Sequence, residues 1–223
     1  MAGRREQNMR RRKRRILEAA TKLISNGGIE ACTMRELARR SRLDVTTLYN
    51  YYGSKEEILE ALRRSGARKL ERRIAQLEET DPVDRIRAIV DLMLGVRESP
   101  AGLARPINLP GPRRRPGTGP IELVAKTQLE DELRRASAEG DLVASVDPEQ
   151  MALVILGHSV VWLPLWARRV IDAEETAARV GHLVSLCLLA VATDQSRPRL
   201  EQAMLESQGR LSALDAELEA AAV

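Results

Sequence analysis

Apolar residues recur at helical spacing along nearly the whole chain, and this period constrains the fold more than any other feature. Side chains three and four positions apart share one face of a helix, whereas a strand alternates every second residue. An early example of the helical pattern is Ile16, Ala20, Leu23 and Ile24. No stretch alternates convincingly as a strand. The pattern therefore predicts an all-α protein.

Glycine and proline set the ends of the predicted helices. Gly27 and Gly28 end the first helix, and Pro82 stands in the first turn of a later one. Gly140 ends another helix. The predicted helices cover about residues 9–26, two short segments within 33–52, then 54–79, 81–94, 121–139, 147–169, 174–193 and 199–221.

The stretch from Thr33 to Lys55, TMRELARRSRLDVTTLYNYYGSK, carries the densest local pattern. Thr33 and Glu36 have the spacing of a capping box at a helix start. A tight turn filled by Leu43 follows, and Ser54 can cap a third helix. The inward-facing anchors of the two short helices are Leu37, Ala38, Val45 and Leu48. The stretch therefore predicts a helix-turn-helix motif over about residues 33–52.

The second short helix leaves a polar face pointing outward. Hydroxyls and amides at this spacing can contact phosphates and base edges in a major groove. The predicted base-facing residues are Thr46, Asn50 and Tyr51. The predicted phosphate contacts are Thr33, Thr47, Tyr49 and Lys55, with Arg35 reaching either a base edge or the backbone. Tyr52 is instead predicted to fill the core of the small domain.

Charge is distributed unevenly along the chain. Residues 1–55 contain 14 Lys/Arg and 5 Asp/Glu, a net charge of +9, whereas residues 56–223 contain 22 and 27, a net charge of −5. A basic end on a mildly acidic remainder suits contact with a polyanion. The basic run from Arg4 to Arg15 is predicted either to touch the DNA backbone or to be a solvated, disordered tail.

The segment from about Met9 to Arg64 resembles the DNA-binding domain of the TetR family of bacterial transcriptional regulators. It covers about a quarter of the chain. The matching features are Ile16-Leu17-x-Ala19-Ala20, the Gly27-Gly28 break, Thr33, Leu37-Ala38, Thr47-Leu48-Tyr49 and Ser54-Lys55. The resemblance implies a helix-turn-helix DNA-binding domain over residues 1–53, here called the N-terminal domain. A bridging helix over 54–79 would join it to a helical ligand-binding and dimerisation domain over 80–223, the C-terminal domain.

One residue departs from the family pattern. Such proteins usually have a glycine in the turn, where this chain has Arg42. A non-glycine residue in a left-handed conformation costs roughly 1–2 kcal/mol. The turn can also take another shape, or Arg42 can offset the cost by reaching a phosphate. Asn50 stands at a position that varies in the family, so no base preference follows.

The resemblance also implies a homodimer that responds to a small molecule. The helices at about 148–169 and 174–193 carry broad apolar surfaces, and pairing them with a second copy would bury the excess; ordinary core packing is the alternative. Two recognition helices would then read a palindromic DNA operator. The sequence lacks Phe, which favours an aliphatic pocket and an apolar effector. The candidate pocket residues are Leu70, Ile74, Ile89, Met93, Thr127, Ile155, His158, Ser159 and Trp162.

The region from 99 to 120 breaks the helical pattern. It holds a cluster of prolines and glycines, which a regular helix does not tolerate, so it is predicted to be a loop. The arginine run at 113–115 is most simply a solvated surface feature. A second DNA contact and a lid over a pocket are the alternatives.

Catalytic and metal-binding functions have no support in the sequence. The two histidines, His158 and His182, stand in apolar helices without a nucleophile motif. Cys32 and Cys187 show no metal-ligand spacing and are predicted to be structural thiols. A GxxxxGK[ST] phosphate loop is absent. The chain is therefore predicted to be no enzyme and to need no cofactor or metal.

Membrane insertion is not expected either. The most apolar region, 151–165, is shorter than the roughly 20 residues of a membrane span, and no long apolar stretch follows the basic start. These features predict a soluble, cytoplasmic transcriptional regulator, with a repressor expected from the family. Two alternatives remain, a non-specific nucleoid-type DNA binder and a helical protein-interaction adaptor.

Overall fold

The computed structural model describes residues 3–95, 118–167 and 170–221. Within these ranges the chain is helical and forms no strand beyond one isolated bridge between Leu142 and Ala192. The predicted all-α class is confirmed. The helices are α1 Arg4–Ala31, α2 Met34–Ser41, α3 Val45–Tyr52, α4 Lys55–Ile74, α5 Pro82–Leu94, α6 Pro120–Ala138, α7 Pro148–Ala167, α8 Ala173–Ala190 and α9 Arg197–Ala221.

Helix α1 is longer than predicted at both ends. Gly27 and Gly28 do leave helical geometry, with Gly28 at a φ of 73°, but one more turn follows them. At the other end the helix already begins at Arg4, so the basic run is helical and not a disordered tail.

Helix α4 is shorter than predicted and ends at Ile74 instead of about 79. The carbonyls that follow are bound by arginines of later helices. Arg85 donates to the carbonyl oxygens of Leu77 and Glu79 at 3.4 and 3.0 Å, and Arg135 donates to that of Thr80 at 2.9 Å. These contacts hold residues 77–80 in an irregular connection. Most of the predicted 99–120 loop lies outside the described residues.

The N-terminal domain has its own apolar core. Residues from α1, α2, α3 and the start of α4 meet in it, and the most buried are Ile16, Leu37, Leu48 and Ile58. This core fixes the short helices α2 and α3 against α1, because helices of eight residues have little stability alone.

The C-terminal domain is a layered helical bundle with a separate core. Helices α5, α6, α7 and α8 pack around residues such as Ile89, Leu129 and Ile155, and α9 lies along α8. A largely buried ion pair joins α5 to α6, with Arg85 Nε 2.7 Å from Glu132 Oε1. In the described part of the chain, no helix is long and apolar enough to cross a membrane.

Candidate nucleic-acid interface

The start of α2 is fixed by a side-chain cap. The hydroxyl of Thr33 accepts a hydrogen bond from the backbone N–H of Glu36 at 3.2 Å. The predicted capping box is only half formed, since the Glu36 carboxylate turns to Arg39 and Arg40. These two guanidinium groups lower the pKa of Glu36 to about 2 through hydrogen bonds and charge. Thr33 itself is exposed, and its hydroxyl proton is free to point at a phosphate.

The turn between α2 and α3 has the left-handed residue that the sequence analysis considered. Arg42 adopts φ 53° and ψ 52°, and the N–H of Leu43 donates back to the carbonyl of Ala38 at 3.0 Å. This is the hydrogen-bond pattern of a helix end that normally takes glycine. Arg15 of α1 donates to the carbonyl of Ser41, so the turn is also held from the neighbouring helix.

Helix α3 presents the polar face that the sequence predicts. Thr46 and Asn50 are exposed, and Tyr49 retains 49% of its surface. Leu48 points the other way and is fully buried. Thr47 is half-buried. The helix is therefore anchored by its apolar side and open on the side that would enter a groove.

The two tyrosines at the end of α3 pack against the core and are less exposed than Thr46, Tyr49 and Asn50. Tyr51 is half-buried against the core, and Arg12 of α1 donates to its hydroxyl at 3.5 Å. Tyr52 packs against the same core, as predicted, and burial raises the pKa of its hydroxyl. The ammonium of Lys13 lies 5.7 Å from the centre of the Tyr52 ring. Tyr51 thus presents its hydroxyl together with a basic group of α1.

Lys55, which the sequence predicts as a phosphate contact, also serves the fold. Its ammonium donates to the carbonyl of Ile29 at 2.8 Å, closing the end of α1 against the start of α4. Its charge also partly opposes the burial that raises the pKa of Cys32. An ammonium has three donors, so this bond leaves Lys55 able to contact a phosphate as well.

Helix α1 contributes a basic face that the sequence analysis treated mainly as a tail. Arg5, Arg10, Arg11, Arg12 and Arg14 are exposed along it. The contacts of Arg12 with Tyr51 and of Arg15 with Ser41 place this helix beside α3 and the turn. The missed signal is the continuation of helical spacing from Ile16 back through the arginines.

The predicted ligand-pocket residues occupy several places in the C-terminal domain. Leu70, Ile74, Ile89, Met93 and Ile155 belong to its closed apolar core. The buried Ser159 hydroxyl donates to the carbonyl of Ile155, and Trp162 Nε1 donates to His158 Nε2 at 2.9 Å. Burial lowers the pKa of His158. Thr127 is exposed on α6, outside this core.

The site combines a capped helix, a tight turn and an exposed polar helix, and an arginine-rich helix lies beside them. This arrangement is that of a helix-turn-helix DNA-binding protein. Residues 16–62 match the family model described as bacterial regulatory proteins, tetR family. This segment of the chain is therefore similar to the DNA-binding part of that family. The family description, regulatory proteins, is the class of protein that the sequence predicts.

A curated relative supports the same assignment. The chain is 34% identical over 79 residues to the HTH-type transcriptional repressor KstR of Rhodococcus jostii (strain RHA1). The match covers 35% of this chain and 37% of the repressor, so the chain spans little more than a third of that relative's length.

Solved structures share the fold over most of the chain. A TetR-family transcriptional regulator from Pectobacterium atrosepticum matches with a TM-score of 0.64 and 18% identity, covering 86% of this chain and 99% of its own. The structure of RolR in complex with its ligand resorcinol matches with a TM-score of 0.60 and 12% identity, covering 89% of this chain and 95% of its own. At these low sequence identities the similarity shows a shared fold alone.

Proposed function

We propose that the chain is a sequence-specific transcriptional repressor that binds a palindromic operator as a dimer and is released by a small apolar molecule. The observation that carries this proposal is the exposed polar face of α3, held by a buried Leu48 and flanked by the capped start of α2. The similarity to a transcriptional repressor supports the sign of regulation. Such a protein would work in the cytoplasm, where its operator lies.

Within the interface, Thr46 and Asn50 are the exposed residues of α3 best placed to contact base edges. An Asn side chain can bond an adenine through two hydrogen bonds, worth about 1–3 kcal/mol of discrimination. Tyr51 is proposed as a third base-facing residue, with its hydroxyl beside Arg12. Thr33, Arg35, Thr47, Tyr49 and Lys55 are the proposed backbone contacts, together with the basic face of α1.

These roles predict different results from two substitutions. Asn50→Ala should change the preferred base at one position of each half-site, because a base contact carries sequence information. Tyr49→Phe should weaken binding to all sequences alike, since a phosphate contact carries none. Binding measured against single-base variants of the operator separates the two patterns. The reverse pattern would overturn both roles.

The proposed dimer rests on an apolar face shared by α7 and α8. Val154 and Val161 of α7 are 55% and 58% exposed, and Leu186 of α8 is 41% exposed. Large apolar residues grouped on adjacent helices mark an interaction surface. Two such helix pairs related by a two-fold axis would form a four-helix interface.

Analytical ultracentrifugation tests the dimer with a matched pair of variants. Val161→Glu places a charge in the proposed interface and should yield monomers. Leu205→Glu changes a residue of similar exposure, 55%, on α9 and should leave the dimer intact. A wild-type chain that sediments as a monomer at micromolar concentration would rule out this part of the proposal.

The effector is proposed to act by population shift. The related RolR structure contains resorcinol, so this fold can accommodate a small molecule. A molecule that binds better to a C-terminal domain whose bridging helix α4 is displaced must weaken DNA binding, because the coupling between the two sites is reciprocal. The aliphatic residues of the predicted pocket set favour an apolar effector.

Selection of bound sequences from a random DNA pool at physiological salt tests the proposal as a whole. A palindrome should be enriched, with half-sites about one helical turn apart. Binding without enrichment, lost steadily as salt rises, would indicate the non-specific DNA binder. Absence of DNA binding would leave the protein-interaction adaptor.

A further inference from the structure

A cleft of about 810 Å³ opens between α5, α8 and α9 of the C-terminal domain. None of the nine predicted pocket residues lines it. Small and apolar side chains make up much of its wall, among them Ala173, Ala177, Gly181, Ala203, Ala213 and Leu214. This volume lies within the range of small-molecule sites, about 300–1,000 Å³. The cleft is thus large enough for a compound with a substantial apolar part.

The wall of the cleft also contains Arg87, whose side chain is 29% exposed and two of whose guanidinium nitrogens lack hydrogen-bond partners. The Nε and Nη2 atoms of Arg87 are buried, and no group in the described part of the chain accepts a hydrogen bond from them. The carboxylate of Asp84 lies 3.7 Å from Nη1, too far for a hydrogen bond. Burial lowers the pKa of Arg87, the charges of Asp84, Asp81 and Glu206 oppose this effect, and the charge of Arg199 adds to it. Unpaired buried donors of this kind are rare and unfavourable.

The charges around the cleft restrict what can neutralise Arg87. Four carboxylates and Arg210 share the lining; the carboxylates are Asp91, Glu174, Glu206 and Glu217. The three glutamates are exposed, so solvent screens them, and Asp91 is half-buried. Two nitrogens of the Arg87 guanidinium are buried, so this group attracts a nearby anion more strongly than an exposed cation does. A single negative charge at Arg87 is therefore favourable. A polyanion would extend its further charges toward the acidic lining.

We propose that this cleft binds an amphipathic monocarboxylate. The carboxylate accepts hydrogen bonds from the guanidinium of Arg87, an arrangement in which two parallel bonds can form. The apolar part lies along the small residues of α8 and α9. Binding at the cleft is independent of the proposed function; only an effect of the acid on DNA release would rest on it.

Isothermal titration of the full chain with decanoate and with decanol tests the carboxylate requirement. The two probes have the same chain length and differ in the head group. Decanoate should bind about tenfold or more tightly than decanol, since a hydrogen-bonded ion pair replaces a neutral contact. Arg87→Met should remove this difference. Arg210→Met, which removes an exposed cation of the same cleft, should change decanoate affinity less than about threefold.

A second variant tests the location without touching a charge. A Cβ added at Gly181 meets no atom within 4 Å, so Gly181→Leu should fold and fill the cleft. It should abolish binding of both probes while leaving DNA affinity unchanged in their absence. If Arg87→Met fails to fold, this variant carries the test.

Three results would overturn the inference. They are no decanoate binding by wild-type protein, equal affinity for decanoate and decanol, and undiminished decanoate binding by Gly181→Leu. Each would leave the proposed function standing, because operator selection is measured without either probe. Failure of operator selection with intact decanoate binding would overturn the proposed function and leave the cleft inference standing.

Discussion

The N-terminal and C-terminal domains are both helical, but different interactions organise them. Local caps start helices in both domains, as between Thr33 and Glu36 and between Asp172 and Glu175. The N-terminal domain adds links over shorter stretches of chain, such as Arg12 to Tyr51, 39 residues apart. In the C-terminal domain the side-chain contacts join more distant parts of the chain. Arg85 and Glu132 are 47 residues apart, and Arg199 and Asp81 are 118 apart. The proposed DNA-binding surface is therefore specified within the first quarter of the chain, whereas the geometry of the C-terminal domain depends on contacts across all the later helices.

The largest effect should come from the buried ion pair of the C-terminal domain. Glu132→Ala removes the carboxylate that pairs with both Arg85 and Arg135 and leaves the largely buried Arg85 with carbonyl acceptors only, and we expect a loss of about 3–5 kcal/mol of unfolding free energy. Urea denaturation measures it. Glu149→Ala is the matched control, because the carboxylate of its pair with Lys126 is 59% exposed and such pairs contribute about 0–1 kcal/mol. Equal effects of the two variants would show that the buried pair stabilises the C-terminal domain no more than the exposed one.

A core truncation in the N-terminal domain should come next. Leu48→Ala opens a cavity in a small core and should cost about 2–5 kcal/mol. We expect it to abolish DNA binding and to raise hydrogen exchange in α1, α2 and α3, while protection in α6 and α8 persists. Leu205→Ala, at an exposed position, should change neither measurement. Exchange that rises equally in α6 and α8 would show that the two domains unfold as one unit.

The difference between local and long-range contacts explains which features could be predicted from the sequence. The caps at Thr33 and Ser54, the buried Leu48 and the exposed Asn50 follow from spacing within a few residues, and the structure has them where they were expected. The end of α4 was missed, because Arg85 captures the carbonyls of Leu77 and Glu79 only after α5 has packed. The cleft was missed for the same reason. It lies between α5 and the later helices α8 and α9, which are far from α5 in sequence, and no local pattern marks the two Arg87 nitrogens that lack hydrogen-bond partners.

The cap of α2 offers a smaller effect that is confined to one domain. Thr33→Ala removes the acceptor for the N–H of Glu36 and should cost about 0.5–2 kcal/mol. Thr33→Ser keeps the oxygen and should recover most of the stability. Thermal unfolding measures both. Since the Thr33 hydroxyl is also a proposed phosphate contact, the alanine variant should lower DNA affinity by more than its stability loss explains. Unchanged DNA affinity would restrict Thr33 to the cap.

The smallest effect concerns Arg42 in the turn. Replacing it with glycine should raise the stability of the N-terminal domain and lower its affinity for DNA. Arg42 is left-handed, which costs about 1–2 kcal/mol for a side chain, whereas the greater freedom of an unfolded glycine costs about 0.5–1 kcal/mol. Arg42→Gly should therefore stabilise the N-terminal domain by about 0.5 kcal/mol, measured by chemical denaturation. If Arg42 reaches a phosphate, the same variant should weaken DNA binding and reduce the slope of log affinity against log salt by about one. Arg42→Asn is the matched control, since asparagine tolerates this conformation without restoring the charge. A more stable variant with an unchanged salt slope would show that the arginine contributes strain to the turn and nothing to the interface.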